Sequence, residues 1–565
     1  MQIKQRQFDK KIVSELISEG VNPLLAMLYA ARGVVDKSEL ETSLSGIIPP
    51  EQLTNAPQMA KLLADAIAEN KKILVIGDYD ADGATATAVA VKGLRQMAAN
   101  VDFLVPNRFE YGYGLTPEIV QLAATQHPDV IVTVDNGIAS IDGVLAANLL
   151  GLQVLITDHH LPSITIPQAA CIVNPNQQGC QFPSKNLAGV GVMFYVLLAL
   201  RAELRKRGVF TDIVEPNLTE LLDLVALGTV ADLVILDANN RILVEQGLRR
   251  IRAGVCAAGI TALLKVAGKS PDKVTAQDLG FYVGPRLNAA GRLDDMSLGI
   301  ACLLAETEVD ATKKAQTLHE LNMERRNIEA NMKDSALISL ENIDVMDNYS
   351  LSMFSADYHQ GVIGILASRL KEKYHRPTIV FADAGDNILK GSGRSIANLH
   401  LRDALDLVTK HHPSLIIKFG GHAMAAGLSI LERDFDAFQQ AFETVARTLL
   451  TEADLQAVIE SDGSLQGQDI SLQTAQMLAN QVWGQGFSQP VFCDDFKVIN
   501  QRIVGEKHLK LLLEKDQKRF DAIQFNRIEK LAENITAVYS LEANEYRGLQ
   551  TLQLQIKQIF NNNLT

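Results

Sequence analysis

ILVIGDYDADGATATAVA, residues 73–90, runs from an apolar, β-branched segment into an alanine-rich helical pattern, and between them stand three aspartates at alternating positions, Asp78, Asp80 and Asp82. Side chains two apart on an extended chain point the same way, so these carboxylates crowd one another. Like charges that close repel and destabilise the fold unless something neutralises them. Hard divalent cations such as Mg²⁺ or Mn²⁺ take carboxylate oxygens readily. The plainer alternative is an aspartate-rich turn that caps the following helix. Gly83 is expected to let the backbone turn sharply into that helix.

Outward from this stretch, short β-branched runs alternate with helical patterns: KKILVIGDYD, NVDFLVP, DVIVTVDNG, LQVLITDHH and ACIVNPN. That spacing predicts crossover units, an α/β class and a mostly parallel sheet. In such sheets the ligand crevice lies outside the carboxyl ends of the strands, so residues there converge although distant in sequence. VIVTVDNGI ends on Asp135, and VLITDHH ends on Asp158, His159 and His160. LLDLVALGTVADLVIL carries Asp232 in an almost uncharged segment, where an unpaired carboxylate is costly. A cation satisfies it, or else a helix-capping role beside Gly228 and Thr229.

At 565 residues and 47% hydrophobic composition, the chain fills more than one core. Residues 1–50 read as an N-terminal helical extension and 51–305 as the first α/β domain. Residues 306–340, almost free of Gly and Pro, read as one long connecting helix. A second α/β domain follows over 341–450, and the alternating runs of 451–565 predict a small antiparallel barrel. No apolar run reaches the roughly 18 residues that span a bilayer, and MQIKQRQFDKKIVSEL has no export-signal core, so a cytoplasmic protein without a membrane partner is expected. Five scattered cysteines without a C-x-x-C pair fit reduced thiols rather than disulfides or a zinc ribbon. A net charge of −13 opposes nucleic-acid binding by overall attraction. A polyanion partner therefore needs local basic patches or bound cations.

DYDADG, VDNG, DHH and GTVAD, in this order and spacing, resemble the four motifs of the DHH phosphoesterase superfamily. GPRLNAAGRLDD (284–295), SADYHQGVIGILASRL (355–370), GSGRS (391–395) and FGGHAMAAG (419–427) are similar to motifs of its RecJ family of single-strand-specific exonucleases. The resemblance implies a parallel-sheet DHH domain, a DHHA1-type domain and a C-terminal OB-fold barrel. It implies two Mn²⁺ or Mg²⁺ ions held by Asp80, Asp82, Asp135, His159 and Asp232, with Asp135 bridging and His160 on the scissile phosphate. One departure stands out: many superfamily members carry a histidine two residues before the position of Asp78, and here Ile76 occupies it. Either Asp78 or water completes that metal shell, or the site binds more weakly.

The implied activity is 5′→3′ hydrolysis of single-stranded DNA by two-metal chemistry in repair and recombination. It carries the expectation of a channel between the α/β domains too narrow for duplex. Single-strand binding protein and a RecQ-type helicase are the partners the family suggests. For the strand itself, Arg108 lies in a Gly/Tyr-rich loop suited to a phosphate or a stacked base. Arg286, Asn288 and Arg292 are candidates for backbone contact, and Ser392, Gly393 and Arg394 form a glycine-rich turn that suits a terminal phosphate. His359 and His422 read as DNA-facing, interdomain or structural. The basic run RAELRKRG (201–208) is better explained as a helix C-terminus. Residues 497–557 hold 11 Lys/Arg against 8 Asp/Glu, a balance that suits single strands. Two other readings stay open: a phosphodiesterase for short RNA or cyclic dinucleotides, and a non-catalytic scaffold for single strands or a replication protein.

Overall fold

Strands β1 (Lys72–Gly77), β2 (Asn100–Leu104), β3 (Val130–Val134), β4 (Gln153–Thr157) and β5 (Cys171–Val173) form an all-parallel sheet in the order β2-β1-β3-β4-β5. This computed structural model describes residues 2–107, 111, 114–340, 345–546 and 548–561. The three central strands read as unbroken apolar runs because both sheet faces are covered. Helices α1 (Ala81–Gln96) and α2 (Gly189–Lys206) are buried along most of their length. Leu74, Ile76, Ile131, Val154 and Ile156 pack with Ile119, Val120, Val144 and Ala147 of crossover helices. Ile76, at the departure noted above, is therefore a core residue.

Register decides what happens at the strand ends. Gly77 pairs with Val134 and Val134 with Thr157, so β1, β3 and β4 end level. Asp78, Asp135 and Asp158 consequently leave the sheet side by side. The aspartate-rich turn also caps α1, for Asp80 Oδ1 accepts the N–H groups of Asp82 (2.9 Å) and Gly83 (3.0 Å). Gly83 does not serve as a turn residue. It lies inside α1, and a Cβ there would stand 2.6 to 2.8 Å from the Asp78 backbone. Glycine is needed because the helix packs back onto the loop that precedes it.

By internal packing the chain divides into Gln5–His319 with Glu460–Thr565, and Met1–Lys4 with Glu320–Ile459. In the first of these, α3 (Leu222–Ala231) and α4 (Gly284–Leu293) complete the parallel-sheet domain. Its C-terminal part is a closed barrel of β11 (Phe492–Val504), β12 (His508–Lys515), β13 (Lys518–Gln524), β14 (Asn534–Tyr546) and β15 (Leu549–Asn561), ordered β11-β12-β13-β15-β14. The expected antiparallel pattern needs one correction: β13 and β15 pair in parallel. A ring of five strands cannot alternate direction all the way round, so one pairing must be parallel.

The long helix α5 spans Glu308–Leu340. The second unit has a mixed sheet of β6 (Leu351–Phe354), β7 (Thr378–Asp383), β8 (Ile388–Arg394), β9 (Lys418–Gly421) and β10 (Ala425–Leu431), ordered β9-β10-β8-β7-β6. Helices α6 (Ile363–Tyr374), α7 (Leu401–His411) and α8 (Phe435–Leu449) close its two cores. Among the described residues, no helix is long and apolar enough to cross a membrane.

Candidate metal centre

His159 stands at the focus of the strand ends. Its Nε2 lies 3.1 Å from Asp135 Oδ1, 3.6 Å from Asp232 Oδ2 and 4.0 Å from Asp82 Oδ2. Two sets of ligand atoms each fall within 4.8 Å: Asp135, His159 and His160, and Asp82, His159 and Asp232. The two sets share His159. Asp78 and Asp80 lie outside both, although their charges act on the cluster.

Each member arrives by a different route. Asp82 sits in the first turn of α1, and its carboxylate accepts the N–H groups of Gly189 (2.6 Å) and Val190 (3.0 Å) at the start of α2. A helix N-terminus favours negative charge, so α2 holds this carboxylate in place. Asp135 follows β3 with a left-handed backbone (φ 63°), which turns its side chain back across the strand ends. Asp232 caps the C-terminus of α3, its N–H bonded to the Gly228 carbonyl. Both readings of Asp232, capping and cation, thus remain compatible. A Cβ on Gly228 would stand 2.1 Å from Thr85 Oγ1 and 2.8 Å from Asp82 Oδ1, so only glycine lets α3 approach α1 this closely.

Electrostatics mark the cluster as built for a cation. Burial, then the charge of Asp80, push the Asp82 carboxyl up to about 7, against the pull of the two α2 N–H groups. Burial and the surrounding aspartates raise Asp135 and Asp232 well above the ordinary carboxylate range. Asp135 Oδ1 is buried and makes no hydrogen bond within the described residues, although an imidazole nitrogen stands 3.1 Å away. Buried polar atoms are nearly always bonded, and an orphan beside raised carboxylates and an imidazole fits a metal-ligand set. Carboxylate donors with one or two imidazoles suit Mn²⁺ or Mg²⁺.

His160 has different surroundings. Burial opposes its charge, but the Asp158 carboxylate, 2.7 Å from Nδ1, raises it to about 9. Asp158 is itself buried and also accepts the N–H groups of Ile138 (2.8 Å), His159 (2.7 Å) and His160 (3.0 Å). The sequence reading grouped Asp158 with the acidic cluster. Asp158 instead orders the two histidines, through the His160 ring and through three backbone N–H groups that carry no mark in the sequence. The α2 N-terminus was likewise invisible, since Gly189 and Val190 carry no chemical signature.

The expected strand-binding residues divide. Arg286 is buried, with Nε 3.2 Å and Nη2 3.0 Å from His319 Nδ1 and Nη1 on the Tyr282 carbonyl. Asn288 Oδ1 accepts the Ala81 N–H (2.8 Å), which ties α4 to the turn between Asp80 and Asp82. Arg292, in the last turn of α4, is half-buried. In the other unit, Arg394 Nη1 bonds Ser392 Oγ (3.3 Å) and the Gly393 carbonyl (2.8 Å), and Gly364 in the first turn of α6 packs against both side chains. Burial lowers the Arg394 pKa, and among the described residues no carboxylate pairs with it. A guanidinium, a hydroxyl and a helix N-terminus together suit an anion. His359 Nδ1 accepts the Gly361 N–H (3.1 Å), and His422 is exposed in the turn between β9 and β10. Arg108 lies outside the described residues. In the run 201–208, Arg205 and Arg207 pair with Glu215, Glu203 and Asp65, as a solvated helix end does.

Comparison with known proteins adds three family matches: the DHH family, N-terminal domain, over residues 72–229; the DHHA1 domain over 347–448; and the RecJ OB domain over 461–558. The chain is 49% identical over 574 residues to the single-stranded-DNA-specific exonuclease RecJ of Salmonella typhimurium, with 99% of each covered. It is 50% identical over 559 residues to the protein of that name from Dickeya dadantii, covering 96% of this chain and 97% of the other. Among solved structures, Thermus thermophilus RecJ in complex with Mn²⁺ superposes with a TM-score of 0.83 at 28% identity, covering 99% of this chain and 79% of that one. The same protein with Mg²⁺ gives 0.77 at 27% identity, covering 99% and 78%.

Proposed function

This chain belongs to the RecJ family of the DHH superfamily, and from that premise we propose that it is a Mn²⁺- or Mg²⁺-dependent exonuclease that degrades single-stranded DNA from the 5′ end. The observation that carries the reading is His159 Nε2 facing Asp135, Asp232 and Asp82 at 3.1 to 4.0 Å, in a fold whose relatives are exonucleases over nearly their whole length. Asp82, Asp135, His159 and Asp232 are the residues that would hold two ions, with Asp80 and Asp78 beside them. When bound, the ions supply an activated nucleophile and offset charge on the phosphate oxygens.

The chain's own groups do the rest. The N-terminus of α2 and the cap at Asp80 fix the carboxylates before substrate arrives. That preorganisation avoids reorganisation during the reaction. His160, kept protonated by Asp158, is suited to hold a non-bridging oxygen as negative charge grows on the phosphate. Ser392, Arg394 and the start of α6 suit a terminal phosphate, with Arg108 as a further candidate. The RecJ OB domain match supports an extended strand as substrate, which a phosphodiesterase for dinucleotides does not require. Repair and recombination in the cytoplasm, with single-strand binding protein and a helicase as partners, complete the proposal.

The test uses single strands labelled at either end, with Mn²⁺ or Mg²⁺ and an EDTA control. Immediate release of labelled mononucleotide from the 5′-labelled strand is expected. Early release from the 3′-labelled strand alone reverses the polarity, and release in EDTA refutes metal dependence.

A further inference from the structure

The loop after β5 carries Asn174-Pro175-Asn176, and both amide side chains turn toward the paired histidines. Asn176 Nδ2 donates to the His159 backbone carbonyl (2.6 Å), and Asn174 Nδ2 donates to that of His160 (2.9 Å). Asn174 Oδ1 accepts the Asn176 backbone N–H (2.7 Å), which ties the Asn174 side chain to the main chain of Asn176. Asn174 is fully buried. The bracket is anchored at both ends: the Asp158 N–H bonds the Val173 carbonyl (3.1 Å), and Lys185 Nζ donates to the carbonyls of Pro175 (2.8 Å) and Cys180 (2.7 Å). Pro175 fixes its own φ and stiffens the span between the two asparagines.

The main chain of His159 and His160 is thereby held from both sides. Asp158 takes its N–H groups, and the asparagines take its carbonyls. No sheet ladder does this work, because β4 has already ended at Thr157. Metal sites lose function with about 0.5 Å or 10–20° of misplacement, so looseness in this loop is felt directly at the imidazole.

We infer that Asn176 and Asn174 are positioning residues that hold His159 against Asp82, Asp135 and Asp232 and so set the affinity of the centre for its divalent ion. The inference rests on the reading of that centre given above. Both amides act through the main chain of His159 and His160. Groups that orient metal ligands from outside typically change affinity by about 10- to 100-fold when removed.

The experiment uses full-length Asn176→Ala, whose side chain is only half-buried, with Asn174→Ala and Lys185→Met beside it. Calorimetric titration with Mn²⁺ in the absence of DNA gives the affinity, and hydrogen exchange in EDTA reports the mobility of residues 158–161. Asn176→Ala should bind Mn²⁺ about 10- to 100-fold more weakly and exchange faster in that segment. The KM for single strands should stay unchanged, while kcat recovers as Mn²⁺ is raised. Lys185→Met, which loosens only the anchor, should give a smaller loss of the same kind and serves if Asn176→Ala does not fold. A variant that melts earlier in EDTA yet binds Mn²⁺ as wild type does overturns the positioning role and leaves a structural one. If the wild-type chain binds no Mn²⁺, the reading of the centre fails and the inference falls with it.

Discussion

Removing the divalent ion should make this protein less stable as the pH rises, and Asp232→Asn should relieve the part that Asp232's own raised carboxyl contributes. The Asp82 carboxyl is pushed from its ordinary 3.8 up to about 7. Each unit corresponds to about 1.4 kcal/mol, so the metal-free fold prefers the neutral acid by roughly 4 kcal/mol. The folded state holds this proton more tightly than the unfolded chain. The contribution is therefore full below about pH 3.8 and is lost progressively up to pH 7, so between pH 6 and 7 only its last unit, about 1.4 kcal/mol, remains to be lost. His160, raised to about 9, acts in the same direction over pH 6.5 to 9. Ligand atoms of Asp82 and Asp232 lie within 4.8 Å, where two full charges at an effective dielectric near 20 repel by at least about 3.5 kcal/mol. Asp232→Asn removes that repulsion, less the part already relieved by protonation.

Thermal unfolding at pH 6 to 8.5, in EDTA and in Mn²⁺, reads these quantities. For a cooperative unit of a few hundred residues, about 1 kcal/mol moves Tm by roughly 1–3 °C. The wild type in EDTA should lose several degrees across this range. Mn²⁺ at about 100 times its Kd should return about 2.7 kcal/mol. Asp232→Asn in EDTA should melt at least as high as wild type at pH 8, depend less on pH, respond weakly to Mn²⁺ and hydrolyse no DNA. A wild-type Tm in EDTA that is flat or rising from pH 6 to 8, together with an unchanged Mn²⁺ response in Asp232→Asn, would refute the reasoning.

Asp135→Asn keeps a residue suited to the left-handed backbone at φ 63°, so circular dichroism should be unchanged while exonuclease activity falls at least about 1,000-fold. Asp158→Asn removes the partner that keeps His160 protonated, and the alkaline limb of the kcat profile should move from about 9 toward the ordinary histidine value; an unmoved limb separates His160 from the reaction. Gly228→Ala drives a methyl group into Thr85 and Asp82, and denaturant unfolding should register a loss of about 1–3 kcal/mol along with weaker Mn²⁺ binding. Arg394→Ala should raise KM about tenfold for 5′-phosphorylated strands and much less for 5′-hydroxyl strands; equal effects on both would argue against end recognition.

Much of the architecture was legible because period and spacing are local properties. The β-branched runs ending in Asp78, Asp135 and Asp158 gave a parallel sheet, and parallel strands of level register bring their carboxyl ends together. The resemblance to the superfamily, rather than strand spacing, brought Asp80, Asp82, Asp135, His159 and Asp232 into one reading. Arg286 illustrates where it stops: arginine beside small residues reads as a phosphate contact, yet this guanidinium is buried against His319 and the Tyr282 carbonyl. Asn288 reads the same way, and its Oδ1 accepts the Ala81 N–H. The parallel pairing that closes the barrel follows from counting strands in a ring, which no single segment carries.

By itself, then, the sequence determined which chemistry is present: carboxylates and imidazoles at the ends of apolar strands, in an order that resembles one superfamily. Only the tertiary structure decided how the work divides among them. Asp80 caps α1, and Asp82 is held by N–H groups of residues 107 and 108 positions away. Asp158 orders the two histidines, and Asn174 and Asn176 close the bracket around them. The physical reason is that charge and donor type are properties of a residue, whereas burial and the partner of a carboxylate oxygen depend on helices and loops brought in from elsewhere in the chain. Whether a crowded aspartate caps a helix, binds a cation or steadies a neighbour is fixed by that long-range packing.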